Sequence, residues 1–243
     1  MSNGTVVITG ASSGIGLALA EAYLEEGFNV VGNARTVERL RAAHRSLGAV
    51  ESFALVEGDI GHPDTARRLF ATAVERFGQV DVLVNNAGIF RAKPFTDYLP
   101  TDLAALVSTN LNGWVYATQQ AVQHMIPRKC GHIISITASI ASQPQHNVPA
   151  ALPILIKGGI NHATKALALE LAPHNIKVSA VAPGIVDTPM YGSEMHAFLK
   201  TLQPAARLGT VREIADAVLY LTRAEFTTGV VLPVDGGMAA GRF

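Results

Sequence analysis

Short apolar runs rich in β-branched residues alternate along the chain with longer stretches whose apolar positions recur at helical spacing. The runs fall at 5–9, 29–32, 53–56, 80–84, 132–136, 177–181 and 229–234. Between them the spacing predicts helices over 14–26, 37–47, 63–77, 101–126, 153–172 and 211–222. Strands that alternate with helices pair in parallel through right-handed crossovers. The expectation is therefore an α/β fold: a single doubly wound parallel sheet of about seven strands with helices on both faces. Strands covered on both faces carry continuous apolar runs, as in Val80-Asp81-Val82-Leu83-Val84.

Local signals agree with this layout. His62-Pro63-Asp64 puts a proline where a first helical turn tolerates it. Thr210-Val211-Arg212-Glu213 is a capping-box pattern. No linker, repeat or low-complexity tract interrupts the alternation, so residues 1–243 read as one domain. The stretch 187–209, with Pro189, Gly192, Pro204 and Gly209, reads as an irregular, mobile lid.

Thr9-Gly10-Ala11-Ser12-Ser13-Gly14-Ile15-Gly16 follows the first strand and opens the first helix. Glycines there allow a tight turn and close approach of the backbone to a pyrophosphate, and the helix start offers N–H groups and partial positive charge. Strand, glycine loop and helix in that order indicate a dinucleotide-binding Rossmann domain; a purely structural turn is the alternative.

The loop spacing is Gly-x-x-x-Gly-x-Gly. With Asn85-Asn86-Ala87-Gly88, Thr109-Asn110-Leu111-Asn112-Gly113, Pro183-Gly184 followed by Thr188, and Asp235-Gly236-Gly237, the chain resembles the short-chain dehydrogenase/reductase family over essentially its whole length. That resemblance implies a nicotinamide cofactor and assigns its contacts. They are Gly10, Ser12, Ser13, Gly14, Ile15 and Gly16 in the loop, and Arg35, Asp59 and Ile60 toward the adenosine. Asn86, Ala87 and Gly88 follow the fourth strand, and Lys157, Pro183, Gly184, Val186 and Thr188 lie on the nicotinamide side.

The end of the second strand bears on which nicotinamide is bound. An acidic residue there binds the ribose hydroxyl of NAD and repels the phosphate of NADP. Here the position is Ala34, and Arg35 follows with a head suited to phosphate. NADP(H) is therefore expected, with NAD as the alternative; on the plainer reading Arg35 only opens a helix on a solvated face. Asp59 either recognises the adenine ring or is a simple turn aspartate.

The family's catalytic set is Asn, Ser, Tyr and Lys, the last two spaced Tyr-x-x-x-Lys. By resemblance Asn110, Ser139 and Lys157 match three of them, but the tyrosine position holds Pro153, which carries no ionisable group. A proline suits a first helical turn, so the helix carrying Lys157 survives the change. General acid–base catalysis is worth about 10²–10⁴-fold, so its loss weakens alcohol–ketone chemistry without abolishing it. His146 in the loop before that helix, Tyr191 in the lid, or Lys157 itself are the candidate replacements. Two have plain alternatives: a solvated histidine for His146, and for Lys157 a lysine that only holds ribose hydroxyls.

Composition narrows the remaining choices. Nineteen basic residues balance nineteen acidic ones, which gives no electrostatic case for nucleic acid or an anionic membrane. One cysteine, Cys130, forms neither an internal disulfide nor a multi-thiolate metal site, so no metal is expected and a reducing cytoplasm is the natural compartment. Met1-Ser2-Asn3-Gly4-Thr5 shows no signal-peptide pattern, and no apolar run is long enough for a membrane span. Two functions remain. One is an NADP(H)-dependent oxidoreductase acting on a small carbonyl, alcohol or activated alkene with altered proton delivery. The other is a nucleotide-binding pseudoenzyme, a sensor or assembly subunit. The resemblance further implies a homo-oligomer, a dimer or tetramer.

Overall fold

A computed structural model describes residues 4–241; the Met1–Asn3 part of the N-terminal reading lies outside the described residues. Seven parallel strands form one sheet in the order β3-β2-β1-β4-β5-β6-β7. They are β1 (Thr5–Ile8), β2 (Asn29–Ala34), β3 (Phe53–Glu57), β4 (Val82–Asn85), β5 (Gly131–Ile136), β6 (Ile176–Pro183) and β7 (Val231–Val234). The strand order reverses between β1 and β4, and in such sheets the crevice at the carboxyl ends of the strands on either side of the reversal receives ligands.

Strand side chains alternate between two apolar layers, as a period of two requires. Val6 and Ile8 of β1 join Leu19, Tyr23, Ile214 and Val218, whereas Val7 joins Leu69, Phe70, Ala117 and Met125. The first layer is α1 (Gly14–Glu25) with α8 (Val211–Arg223). The second is built from α3 (Pro63–Phe77), α5 (Gly113–Met125) and part of α6 (Ala151–Leu171). The Tyr23 and Thr222 hydroxyls share a 2.6 Å hydrogen bond that ties α1 to α8. α2 (Val37–Ser46) packs beside β2 and β3.

The two helix-start signals are as expected. Pro63 stands at the start of α3, and Thr210 Oγ1 accepts from Glu213 N while Glu213 Oε2 accepts from Thr210 N at 2.8 Å.

Several boundaries differ from the sequence expectation, and four of them bear on the site. β2 runs on to Ala34, because the Asn33 amide donates to the carbonyls of Val56 and Gly58, both at 3.0 Å, and holds the strand against β3. The helix expected over 101–126 is α4 (Pro100–Leu106) and α5 joined by a π-turn, Val107–Asn112. Asn110 sits in that turn with both amide groups bonded to the Ile89 backbone. α6 begins at Ala151, so Pro153 is its third residue, where the missing N–H has no intrahelical partner to lose. The stretch expected to be irregular contains α7 (His196–Thr201), because Leu199, Leu202 and Leu208 bury against Val148, Ile185 and Tyr191.

Candidate active site

The loop after β1 is shaped by contacts that exclude side chains. Gly10 and Gly14 have φ of +69° and +53°, the left-handed region that favours glycine. A Cβ on Gly16 would lie 2.1 Å from the Gly10 carbonyl oxygen and 2.5 Å from Asn86 Nδ2. Thr9 and Asn86 lock this loop to the end of β4. Thr9 Oγ1 accepts from the backbone N–H groups of Asn86 and Ala87, both at 3.0 Å. Asn86 Nδ2 in turn donates to the carbonyls of Thr9 and Gly10 at 2.9 and 3.1 Å. Ser13, the N-cap of α1, makes no side-chain bond to the first turn. The N–H groups of that turn therefore keep their need for an acceptor, which suits an anion. Ser12 is half-buried and Ser13 and Arg35 are exposed along this edge.

Arg35 follows directly on β2, beside the pinned Asn33. Asp59 Oδ1 accepts from Gly61 N at 2.9 Å, a turn contact, and Ile60 is buried under α5 against Gly113. On the far side, Pro183 ends β6 and Gly184 N donates to Val234 O at 3.0 Å. Val186 bridges to Gly209, and Thr188 lies against Gly14, 3.3 Å from where a Cβ there would be. The start of the 187–209 stretch thus touches the glycine loop.

Two of the expected catalytic residues converge. A Cβ on Gly88 would be 3.4 Å from Asn110 Oδ1 and 3.5 Å from Lys157 Nζ. Asn110 is held by Ile89: its Oδ1 accepts from Ile89 N at 2.8 Å and its Nδ2 donates to Ile89 O at 2.9 Å. Lys157 Nζ donates to the Ile136 carbonyl at 2.7 Å. Lys157 is half-buried as a residue, and the burial of its ammonium lowers its pKa to about 8.

Ser139 lies just beyond Ile136, almost fully buried. Its hydroxyl faces the Met238 sulfur at 4.0 Å, a weak partner that leaves it able to serve a better acceptor. His146 is exposed in a turn; its neighbour Gln145 donates to Leu202 O at 3.2 Å and ties the turn to the 187–209 stretch. Tyr191 packs against the apolar cluster of Leu199, Leu202 and Leu208, and burial raises its pKa. Pro153 is buried on α6, next to the cluster of Leu152, Ile156, Ile160 and Trp114.

Sequence reasoning quoted Asn85 within a motif but gave it no contact, and it did not single out three further residues that shape this site: Trp114, Ser135 and Met238. Trp114 Nε1 donates to Ser135 Oγ at 2.9 Å, and both line a small chamber with Asn85, Asn110 and Lys157. The sequence holds a hint in Trp114, the chain's only tryptophan, placed just after the Asn110 motif.

The family model described as short chain dehydrogenase matches residues 4–197. The chain is 35% identical to the putative ketoacyl reductase 2 of the granaticin polyketide synthase of Streptomyces violaceoruber, over 95% of this chain and 94% of that protein. It is also 35% identical to 3beta-hydroxysteroid dehydrogenase 1 of Eggerthella lenta, over 96% of this chain and 93% of that protein. Among solved structures it resembles ElxO with NADP bound, with a TM-score of 0.91 and 29% identity over 99% of this chain and 100% of that one. A 3-ketoacyl-(acyl-carrier-protein) reductase from Brucella melitensis complexed with NADH gives a TM-score of 0.92 at 29% identity, over 98% and 99%.

Proposed function

Because the chain belongs to the short-chain dehydrogenase family, we propose that it is an NADP(H)-dependent oxidoreductase for a small carbonyl, alcohol or activated alkene, with Lys157 handling the proton that a tyrosine would otherwise carry. The observation that carries this reading is the convergence of Asn110 and Lys157 beside Gly88, at the strand ends where β1 meets β4.

The residues present fit a dinucleotide. Gly16 has no room for a side chain, and the first turn of α1 still needs acceptors. Gly10–Gly16 would hold the phosphates, Arg35 a ribose phosphate, and Asp59 and Ile60 the adenine side. Asn86, Ala87 and Gly88 floor the cleft, and Pro183, Gly184, Val186 and Thr188 flank the nicotinamide end. When bound, that group supplies or takes a hydride. Lys157, with a pKa of about 8, carries a proton it can give up near neutral pH. Ser139 Oγ orients the reacting oxygen, and Asn110 fixes the π-turn behind it. His146 is a second candidate acid. Without a phenol, an activated acceptor such as a dicarbonyl or quinone is the preferred substrate, because less charge builds on its oxygen.

Calorimetric titration with NADPH and NADH tests the first half of this reading. NADPH is expected to bind about tenfold tighter or more, and Arg35→Ala to remove the preference. Binding of neither nucleotide sinks the proposal. For the second half, Lys157→Ala and Ser139→Ala are each expected to lower turnover about tenfold or more. Unchanged rates in both variants exclude this mechanism.

A second reading, a nucleotide-binding protein with little redox activity, is favoured by Pro153 and by the burial of Ser139 against Met238. Intact NADPH binding with no turnover on any carbonyl offered would select it. The proposal also includes a cytosolic homo-oligomer, a dimer or tetramer. Among the described residues no helix is long and apolar enough to cross a membrane. The open apolar residues Leu155 and Leu169 on α6, 70% and 80% exposed, support self-association, which light scattering would measure.

A further inference from the structure

The chain that leaves β6 at Gly184 returns to the same spot eighteen residues after Ile185, at Gln203. Gln203 is only 4% exposed, and its side-chain amide is fully used. Its Oε1 accepts from Ile185 N at 2.9 Å, while its Nε2 donates to Ile185 O at 3.1 Å and to Arg207 O. One acceptor and two donors are all engaged on backbone groups. There is no slack at this junction: a Cβ on Gly184 would lie 2.6 Å from Gln203 Oε1 and 2.8 Å from Asp235 Cα. Gly209 adds a second tie, donating to Ile185 O and accepting from Asp187 N, both at 2.9 Å. Between the two ties Ala206 keeps φ at +53°, the left-handed region that disfavours a residue with a Cβ. Such a conformation persists where its surroundings over-determine it, and Gln203 holds the next carbonyl.

We propose that Gln203 is a positioning residue for the nicotinamide half of the dinucleotide: its amide latches the strand exit Gly184–Thr188 in its binding shape before the ligand arrives. This rests on the reading of that exit given above. The latched run begins at Ile185 and reaches the glycine loop, where Thr188 lies against Gly14. The residues assigned to the adenosine half, Arg35, Asp59 and Ile60, follow β2 and β3 on the far side of β1. The Gln203 side chain bonds to none of them, so it acts on one half of the ligand. Glutamine suits this place chemically. A glutamate carboxylate has no donor for the two carbonyls, and a methionine of similar length supplies neither donors nor a strong acceptor. Fixing the exit beforehand favours binding because the ordering is not left to the ligand.

Calorimetry with two probes tests this: NADPH, and 2′-phospho-ADP-ribose, the same molecule without its nicotinamide. Gln203→Glu and Gln203→Met are expected to weaken NADPH about tenfold or more, as an exit in the binding shape only about a tenth of the time would. Both variants are expected to hold 2′-phospho-ADP-ribose within about twofold of the unaltered protein. A loss shared equally by the two probes means general loosening and overturns the proposal, as does unchanged NADPH affinity. An unaltered protein that binds neither probe removes the dinucleotide reading, and this role with it. One that binds both, with variants that match it, removes only the role of Gln203. Should neither variant fold, amide hydrogen exchange in the unaltered protein decides. The Ile185 N–H is expected to exchange about a hundredfold or more slowly than in an unstructured chain, and to slow further with NADPH but not with 2′-phospho-ADP-ribose. Exchange at the unstructured rate, or the same response to both probes, overturns the proposal.

Discussion

Lys157 Nζ donates to the Ile136 carbonyl at 2.7 Å, so the ammonium carried by α6 is anchored on the last residue of β5. Ser139 follows on the same strand exit. The contact holds the lysine where burial lowers its pKa to about 8. An acid works in its protonated form, so the rate of a reduction should fall as pH rises through about 8. The reverse oxidation needs the neutral amine and should rise through the same pH. A pH–rate profile of the chemical step checks both limbs. A reduction rate that stays flat through this range would remove Lys157 as the acid.

Pro153→Tyr places a phenol four residues before Lys157. At the third position of α6 no intrahelical bond changes, so removing the tolerated proline costs about 0.4–1 kcal/mol, and fitting the larger ring at this buried position adds about 1–3 kcal/mol. Ketone reduction is expected to rise about tenfold or more. Initial rates on a simple ketone, beside a thermal unfolding midpoint, give the answer. A folded variant with no gain would mean that the surrounding pocket does not fit a phenol there.

Two glycines should behave oppositely when given a methyl group. Gly16→Ala drives a Cβ to 2.1 Å from the Gly10 carbonyl, and the backbone there cannot yield without moving the loop. NADPH affinity should fall about a hundredfold or more, with stability down by about 1–3 kcal/mol. A Cβ on Gly159, within α6, meets nothing within 4 Å. Gly159→Ala should therefore leave binding intact and gain up to about 1 kcal/mol. Calorimetry and denaturant unfolding on the two variants separate these outcomes.

His132 predicts an acid sensitivity located away from the site. It is buried on β5 beside Ser179 and opposite Lys177 of β6. Burial, assisted by the Lys177 charge, lowers its pKa to about 3. The unfolded chain then binds the proton more readily than the fold does, so stability is present above pH ~6.5 and is lost as pH falls toward 3. Between pH 7 and 5 the loss should reach about 2 kcal/mol. His132→Gln should flatten that slope in denaturant titrations at the two pH values. An unchanged slope would assign the acid sensitivity to other groups.

Much of the scaffold was legible along the chain, because strand and helix periods are local. Val6, Val7 and Ile8 point alternately into two layers, as a strand buried on both faces must. The glycine loop was legible too, since Gly10 and Gly14 take a backbone conformation that other residues resist. The break in the helix at Asn110 was not. Nothing in Thr109-Asn110-Leu111-Asn112 opposes a plain α-helix; the π-turn appears where Ile89, brought in from the end of β4, bonds the Asn110 amide at both ends.

By itself the sequence determined the order of elements, the dinucleotide loop and the absence of an ionisable group at Pro153. These depend on residue identity and near-neighbour spacing. Only the tertiary structure decided the state of the groups that remain. Met238 lies 99 residues from Ser139 and still covers its hydroxyl. Gln203 is one polar residue of an irregular stretch until the fold brings its amide to both backbone groups of Ile185. The charge on Lys157 depends on how much water its ammonium keeps. Solvation is set by which distant elements close around a group, and the order β1, β4, β5 in the sheet is what closes them here.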